Sequence, residues 1–394
     1  MLQKVVDYYN RYKRPILIIS GVVSFAYFAS SYTKDKITQF QMDQVKSRKA
    51  KENLKKRFEK NLIDTNEVIK SLLGLLKTNL FKDYPVEDLV QQITELKNTT
   101  TDKTELKQLK LKLWEQVKIM SFTRTLGSLY LINFLSLLTY IQMNLVGRLI
   151  YIESIIGAHP NLEALNRDST STPAKMSYEN EKLFLSFTWW FINRGYQSVM
   201  ETIHNVVKNE MESIALSKKF NYTELLELTM KLRLNIDDAL FMSNDSILNA
   251  MLPYNYESEF EVLQANGHSL PITMGTNEQN IKQYIDTVVD HDLRSLLNET
   301  KDFIESNDFK LVFNKILDLF MEPLLIELKQ TLFESKDSES TPRAINLARI
   351  IPTLSSIPEE VFNTNDNKYI DTASECSELH AFAAVIYSSF EFLS

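Results

Sequence analysis

The longest hydrophobic pattern in the chain lies between Lys110 and Tyr151, KLKLWEQVKIMSFTRTLGSLYLINFLSLLTYIQMNLVGRLIY. Leu113, Val117, Met120, Leu131, Leu135, Leu138, Ile141, Leu145 and Leu149 recur at steps of three and four, the period of a helix buried along one side. No proline interrupts the stretch, so a helix can run through it unbroken. No charge falls between Thr125 and Gly147, a run long enough to raise a membrane span. Asn133, Thr139, Gln142 and Asn144 argue against lipid, where bare amides lack partners. The pattern therefore predicts a long central core helix, with a second span as the minority reading. Gly127 and Gly147 lower helix propensity and allow slight bends.

The remaining periodicity predicts helices near 62–80, 85–97, 179–218, 222–242, 277–305, 308–334, 342–351 and 366–392, with the central helix extending over 103–157. Loops are expected at 159–177, 266–280, 334–342 and 355–367, where polar, Gly and Pro residues collect. No alternating run bounded by turn signals occurs, so no strands are expected. Nor is there a repeat of fixed period. The fold class is all-α: a single N-terminal transmembrane helix followed by a large, elongated helical bundle with long central helices.

The transmembrane helix is expected early. Pro15 to Tyr32, PILIISGVVSFAYFASSY, carries no charge, the lower range for a spanning helix. Ile16, Leu17, Ile18, Ile19, Val22, Val23, Phe25 and Phe28 form its apolar body, and Tyr27 and Tyr32 suit an interfacial position. A cleaved secretory signal fits poorly, because a basic run follows at once and no small-residue cleavage pattern precedes it. The N-terminal flank nets +3 and the segment 34–60 nets +6. The heavier positive side is expected in the cytosol. Four parts result: a short tail at 1–15, an anchor at 16–33, a basic juxtamembrane stalk helix at 34–60, and a cytosolic all-helical partner-binding domain at 61–394.

Charge sharpens that division. Fourteen Lys and Arg stand against five Asp and Glu in residues 1–60, a net +9, while the whole chain nets −7. The body is therefore acidic and the membrane end basic, which suits anionic head groups met at one end only. Nucleic acid is excluded as a partner, since the basic stretch abuts a span and lacks interleaved aromatics or a reader motif. The single cysteine, Cys376, excludes an intrachain disulfide and reads as a small buried residue.

Catalytic and metal signatures are missing. The eight glycines form neither a dinucleotide fingerprint nor a phosphate loop. The five histidines are scattered, and Asp290-His291-Asp292 reads as exposed helix surface. No cofactor, metal or small-molecule substrate is implied, and the expectation is a protein that is not an enzyme.

Lys110, Trp114, Val117, Lys118 and Ser121 share one face of the predicted central helix. An aromatic ring with basic neighbours suits an amphipathic partner helix, the ring filling an apolar groove and the cations setting orientation. The plainer alternative buries Trp114 in the core and leaves the lysines solvated. For Trp189-Trp190, one ring inside and one near the surface is the expected arrangement.

LWEQVKIMSFTRT, followed by YIQMNLVGRLIYI and later by INLARIIP, together with the basic–apolar–basic N-terminus, resembles the peroxin-3 family of peroxisomal membrane docking receptors. The resemblance runs from one end of the chain to the other. It implies a peroxisomal membrane protein with one span, its short tail on the matrix side and its bulk in the cytosol, with the endoplasmic reticulum as a route. It implies that Trp114 binds the N-terminal amphipathic helix of peroxin-19, the soluble shuttle for newly made peroxisomal membrane proteins. Lys110 matches a basic position one turn earlier, Val117 an apolar groove position, and Arg349 a position usually held by lysine. Ile93 and Leu96 are expected on the far wall. Tethering of inheritance and selective-autophagy (pexophagy) factors is the alternative role that the resemblance allows.

Overall fold

The computed structural model describes residues 44–96, 103–158, 177–242, 244–271, 277–334 and 344–388. The expected anchor at 16–33, the tail before it and the first part of the stalk lie outside these residues. The chain is built of helices, as the hydrophobic period predicted.

Helix α1, Gln44–Asp83, runs unbroken through the expected stalk and into the body. Leu54, Leu62, Ile69, Leu73, Leu76 and Leu80 are buried along it, at spacings that keep one stripe inward. Its outer face carries exposed i,i+4 pairs such as Lys56 with Glu52 at 2.9 Å. A sharp elbow at Tyr84 and Pro85 leads to α2, Val86–Glu95.

Helix α3, Lys103–Ala158, is the axis of the molecule. Every residue from Ser121 to Gln142 is buried. Among the described residues it is the one helix long and apolar enough to cross a membrane, and 94% of that apolar window is buried within the protein. Burial against its own fold makes this a core helix. The four polar residues that argued for a protein interior each donate a hydrogen bond there, with Asn133 Oδ1 left without a partner among the described residues. Asn133 Nδ2 donates to Phe313 O at 2.8 Å, Thr139 Oγ1 to Leu135 O at 2.8 Å, Gln142 Nε2 to Phe184 O at 3.0 Å, and Asn144 Nδ2 to Tyr140 O at 2.7 Å. No break occurs at Gly127 or Gly147. Gly127 instead makes room for a neighbour, since a Cβ there would lie 2.3 Å from Met200 Sδ.

The expected helix at 179–218 is divided. α4 spans Tyr178–Ser186, and α5 covers Thr188–Trp190. A π-turn follows at Phe191–Gly195 before α6, Tyr196–Met211. A Cβ on Gly195 would sit 1.6 Å from Ala250 O, so only glycine lets the turn approach this backbone. Trp190 is buried and donates Nε1 to Asn249 O at 2.9 Å, while Trp189 is half-buried, the division the sequence suggested.

Then come α7, Tyr222–Leu240, and two helices the periodicity missed: α8, Asn244–Met251, and α9, Tyr256–Ala265. Both are too short for a clear period. α9 is started by an Asn255–Ser258 capping box, which fixes a helix end with local hydrogen bonds. α10, Glu278–Val288, and α11, His291–Glu305, follow, the latter capped by Asp290, which receives Leu293 N at 2.9 Å. α12, Asn307–Leu328, ends in a π-turn at Lys329–Phe333.

Two departures concern the C-terminal part. Lys219–Phe220 (β1) pairs antiparallel with Ile345–Asn346 (β2), a two-residue ladder where no strand was expected. Helix α13, Leu347–Val361, continues through Pro352 and Pro358, overturning both a helix end near 351 and a loop from 355. Pro358 has no N–H to give to Leu354 O, and Thr125 Oγ1 of α3 donates to that carbonyl instead at 2.6 Å. A neighbouring helix thus repairs the ladder that proline interrupts. α14, Lys368–Ser374, and α15, Ser377–Ser388, complete the chain. Helices α1, α2, α6, α12, α13 and α15 all pack on α3.

Two outcomes are expected. Gly195→Ala forces the turn off Ala250 and lowers stability by about 1–3 kcal/mol or more, read from the urea midpoint. Burial pushes the Cys376 thiol up from 9.0 to about 11. The folded state therefore holds its proton longer than the unfolded chain. This contribution is full below the ordinary thiol value and is lost as pH rises toward the folded one. A disulfide reagent at pH 8 should leave the native chain unmodified and label one thiol after denaturation.

Candidate functional site

At the N-terminal end of α3 a small apolar cluster stands apart from the main core. Val86 and Ile93 of α2, Val117 of α3 and Ile351 of α13 are its buried members. Leu89, Leu113, Trp114, Met120 and Leu216 pack on it half-buried. The local cause is amphipathicity. α2 places Val86, Leu89 and Ile93 on one side and Glu87, Asp88, Gln91 and Gln92 outward, and the first third of α3 likewise alternates lysines with apolar positions. Trp114 therefore keeps one face toward solvent beside an apolar floor.

Of the residues singled out from sequence, Trp114, Val117 and Ile93 meet in this cluster. Lys110 is half-buried one turn before Trp114. Arg349 is exposed in the first turn of α13, two residues before Ile351. Leu96 is half-buried at the C-cap of α2, its N–H given to Gln92 O at 3.0 Å, and is not part of the cluster. Leu216 and Met120 were not foreseen as members. Leu216 lies in an irregular segment after α6, where the sequence predicts helix as far as 218.

Lys118 and Ser121 differ from their expected place on an accessible face, since both are fully buried. Lys118 Nζ donates to Met211 O at 2.9 Å and Ile214 O at 2.6 Å, and pairs with Glu115. It closes the C-terminus of α6, where carbonyls lack helical partners. It also holds the segment that brings Leu216 to the cluster. That segment is fixed from its other side by Ala348 N donating to Leu216 O at 3.1 Å and Leu347 N to Lys218 O at 2.9 Å. Ser121 Oγ lies 3.0 Å from Ser355 Oγ of α13.

The arrangement offers an apolar strip carrying half-buried Trp114, with Lys110 one turn earlier on α3 and Arg349 exposed in the first turn of α13. Its chemistry is that of non-covalent docking. Among the described residues no three His, Cys, Asp or Glu side chains are grouped to hold a metal ion. His204 is half-buried against Thr123, with its ring pKa lowered first by burial and then by Lys208. His291 is exposed.

Comparison with known proteins covers nearly the whole chain. The sequence profile of the Peroxin-3 family matches residues 7–109 and 97–389. The chain is 24% identical over 443 residues to Peroxisomal biogenesis factor 3 of Yarrowia lipolytica, with 98% of this chain and 99% of the relative covered. It is 24% identical over 466 residues to Peroxisomal membrane protein PEX3 of Komagataella phaffii, covering 99% and 100%. Peroxisomal biogenesis factor 3 of Rattus norvegicus is 22% identical over 400 residues, covering 99% and 98%.

Replacing Lys118 by Met leaves Ile214 O without its donor and Met211 O with Ile214 N alone. The expected cost is about 1–3 kcal/mol, measured by urea unfolding, together with faster amide exchange confined to residues 212–218. Unchanged exchange there would show that Lys118 does not hold this segment.

Proposed function

Because this chain belongs to the Peroxin-3 family and acts in peroxisome biogenesis, we propose that the Trp114 strip docks the N-terminal amphipathic helix of peroxin-19. The chain is then a receptor in the peroxisomal membrane. It takes up the cargo-loaded shuttle and promotes insertion of peroxisomal membrane proteins. Residues 16–33 anchor it, residues 1–15 lie on the matrix side, and the helical body faces the cytosol. The basic segment that follows the anchor touches anionic lipid. No covalent step is required.

One observation carries this reading. Trp114 packs half-buried on an apolar cluster separate from the main core, with Lys110 one turn before it on the same helix. A tryptophan needed only for stability would be enclosed by the main core. Here it lines an open strip with a cation one turn away, which suits a helix with apolar and acidic sides. Arg349 presents a planar fork where a lysine would present a point charge, and so favours a carboxylate on the partner.

A second role, as a tether for inheritance or pexophagy factors, is favoured by a separate apolar feature. Tyr254 is 60% exposed, and its ring lies edge-on to Trp190 at 6.0 Å.

Titration of the full-length chain in nanodiscs with a peroxin-19 N-terminal peptide tests the receptor. Trp114→Ala is expected to weaken binding by about 2 kcal/mol or more, roughly thirtyfold, with the unfolding midpoint little changed. Wild-type affinity in that variant moves the site elsewhere. Peptide binding lost on Tyr254→Ala but kept in Trp114→Ala moves the peroxin-19 site to the Tyr254 surface.

A further inference from the structure

Arg124, in the SFTR run, is fully buried, and its contacts reach three separate stretches of chain. Nη1 donates to Glu87 Oε2 at 2.6 Å and Nη2 to Glu87 Oε1 at 2.5 Å, a bidentate pair with the first turn of α2. Nη1 also reaches Tyr84 O in the elbow at 3.3 Å, and Nη2 reaches Ser355 O of α13 at 3.1 Å. The guanidinium carbon lies 4.4 Å from the centroid of the Phe81 ring, at the end of α1. Arg124 therefore ties the α1–α2 elbow and α13 to α3 at one point.

Burying a guanidinium is costly unless it is paired. An apolar side chain would fill the same space between α3 and α13 at lower cost. The charge is needed for what lies across the elbow. α2 is ten residues long and reaches the body through few buried residues, Val86 and Ile93. Val86 adjoins Glu87, and Ile93 lies two turns further along the same side. Fixing Glu87 fixes Val86, and through the rigid helix it fixes Ile93.

We propose that Arg124 is a positioning residue for the Trp114 strip: its two-pronged grip on Glu87 sets the angle of α2, and with it the width of the strip that a partner helix enters. Lysine cannot replace it, because a point charge neither spans both carboxylate oxygens nor stacks flat on Phe81. The proposal rests on the receptor reading for its consequence in binding, but not for the geometry of α2.

Full-length chain in nanodiscs is compared with Arg124→Lys and Glu87→Gln by hydrogen exchange, thermal unfolding and titration with the peroxin-19 N-terminal peptide. Glu87 has 62% of its side chain exposed, so Glu87→Gln keeps the test open should Arg124→Lys fail to fold. Exchange across Val86–Glu95 is expected to rise about tenfold in each variant, the change that loss of one charge-assisted hydrogen bond supplies. Exchange at 121–142 should stay as in wild type, and peptide affinity should fall alongside. The double variant should be no worse than the more affected single one. Unchanged protection of α2 in Glu87→Gln overturns the proposal. So does a loss spread evenly over the chain, or a loosened α2 with unchanged affinity. Failure of the wild-type chain to bind the peptide overturns the receptor reading alone, and the exchange pattern still decides what Arg124 does.

Discussion

A helix without a polar side cannot rest on one neighbour, and the middle of α3 is such a helix. From Ser121 to Gln142 each residue is buried, so protein must surround the rod on all sides. α1, α6, α12, α13 and α15 supply that enclosure. The polar groups inside it are then obliged to find partners, because each unpaired one costs about 1–3 kcal/mol. Asn133 reaches α12, Gln142 reaches α4, and Thr125 reaches α13. These bonds fix which helix lies where, a specificity that dispersion and burial alone do not provide.

The same helix carries the site because its character changes along its length. Before Ser121 it becomes amphipathic, with Lys110, Lys112, Glu115 and Lys118 among apolar positions, and the enclosure opens. Among the described residues α2, α13, the end of α6 and the segment around Leu216 pack on this part, and α2, α13 and Leu216 join α3 in the smaller cluster on which Trp114 lies. Trp114 stands about 25 Å from Leu131 along the axis, at 1.5 Å per residue. The strip is therefore an extension of the most rigid element in the protein. A partner bound there meets a surface held by the core, which limits the ordering cost of docking.

Two buried cations bring the outlying pieces onto this rod. Lys118 gathers the carbonyls at the end of α6, and Arg124 gathers the elbow, α2 and α13. In both cases the cation satisfies backbone carbonyls at a place where the chain changes direction. A short connection at the edge of a fold is prone to local opening, and charge-assisted bonds counter that tendency.

The sequence by itself determined the helical class, the place of α3 and the shared face of Trp114 and Val117, while Ile93 was reached through the family resemblance. The helical features follow from a local period repeated over many residues, and three amides and a threonine in an uncharged run already announced a protein interior. The family was legible from LWEQVKIMSFTRT, YIQMNLVGRLIYI and INLARIIP. Tertiary structure alone decided that α13 passes through Pro358, since the hydroxyl that replaces the missing N–H belongs to Thr125, 229 residues away in the chain. It alone showed Lys118 and Arg124 to be internal, because a lysine or arginine reads as solvated until its acceptors are known. It also brought in Leu216, from a segment that the period assigns to a helix and that is irregular in the fold. Local pattern sets which residues face inward, but only the packed neighbours decide what they meet there.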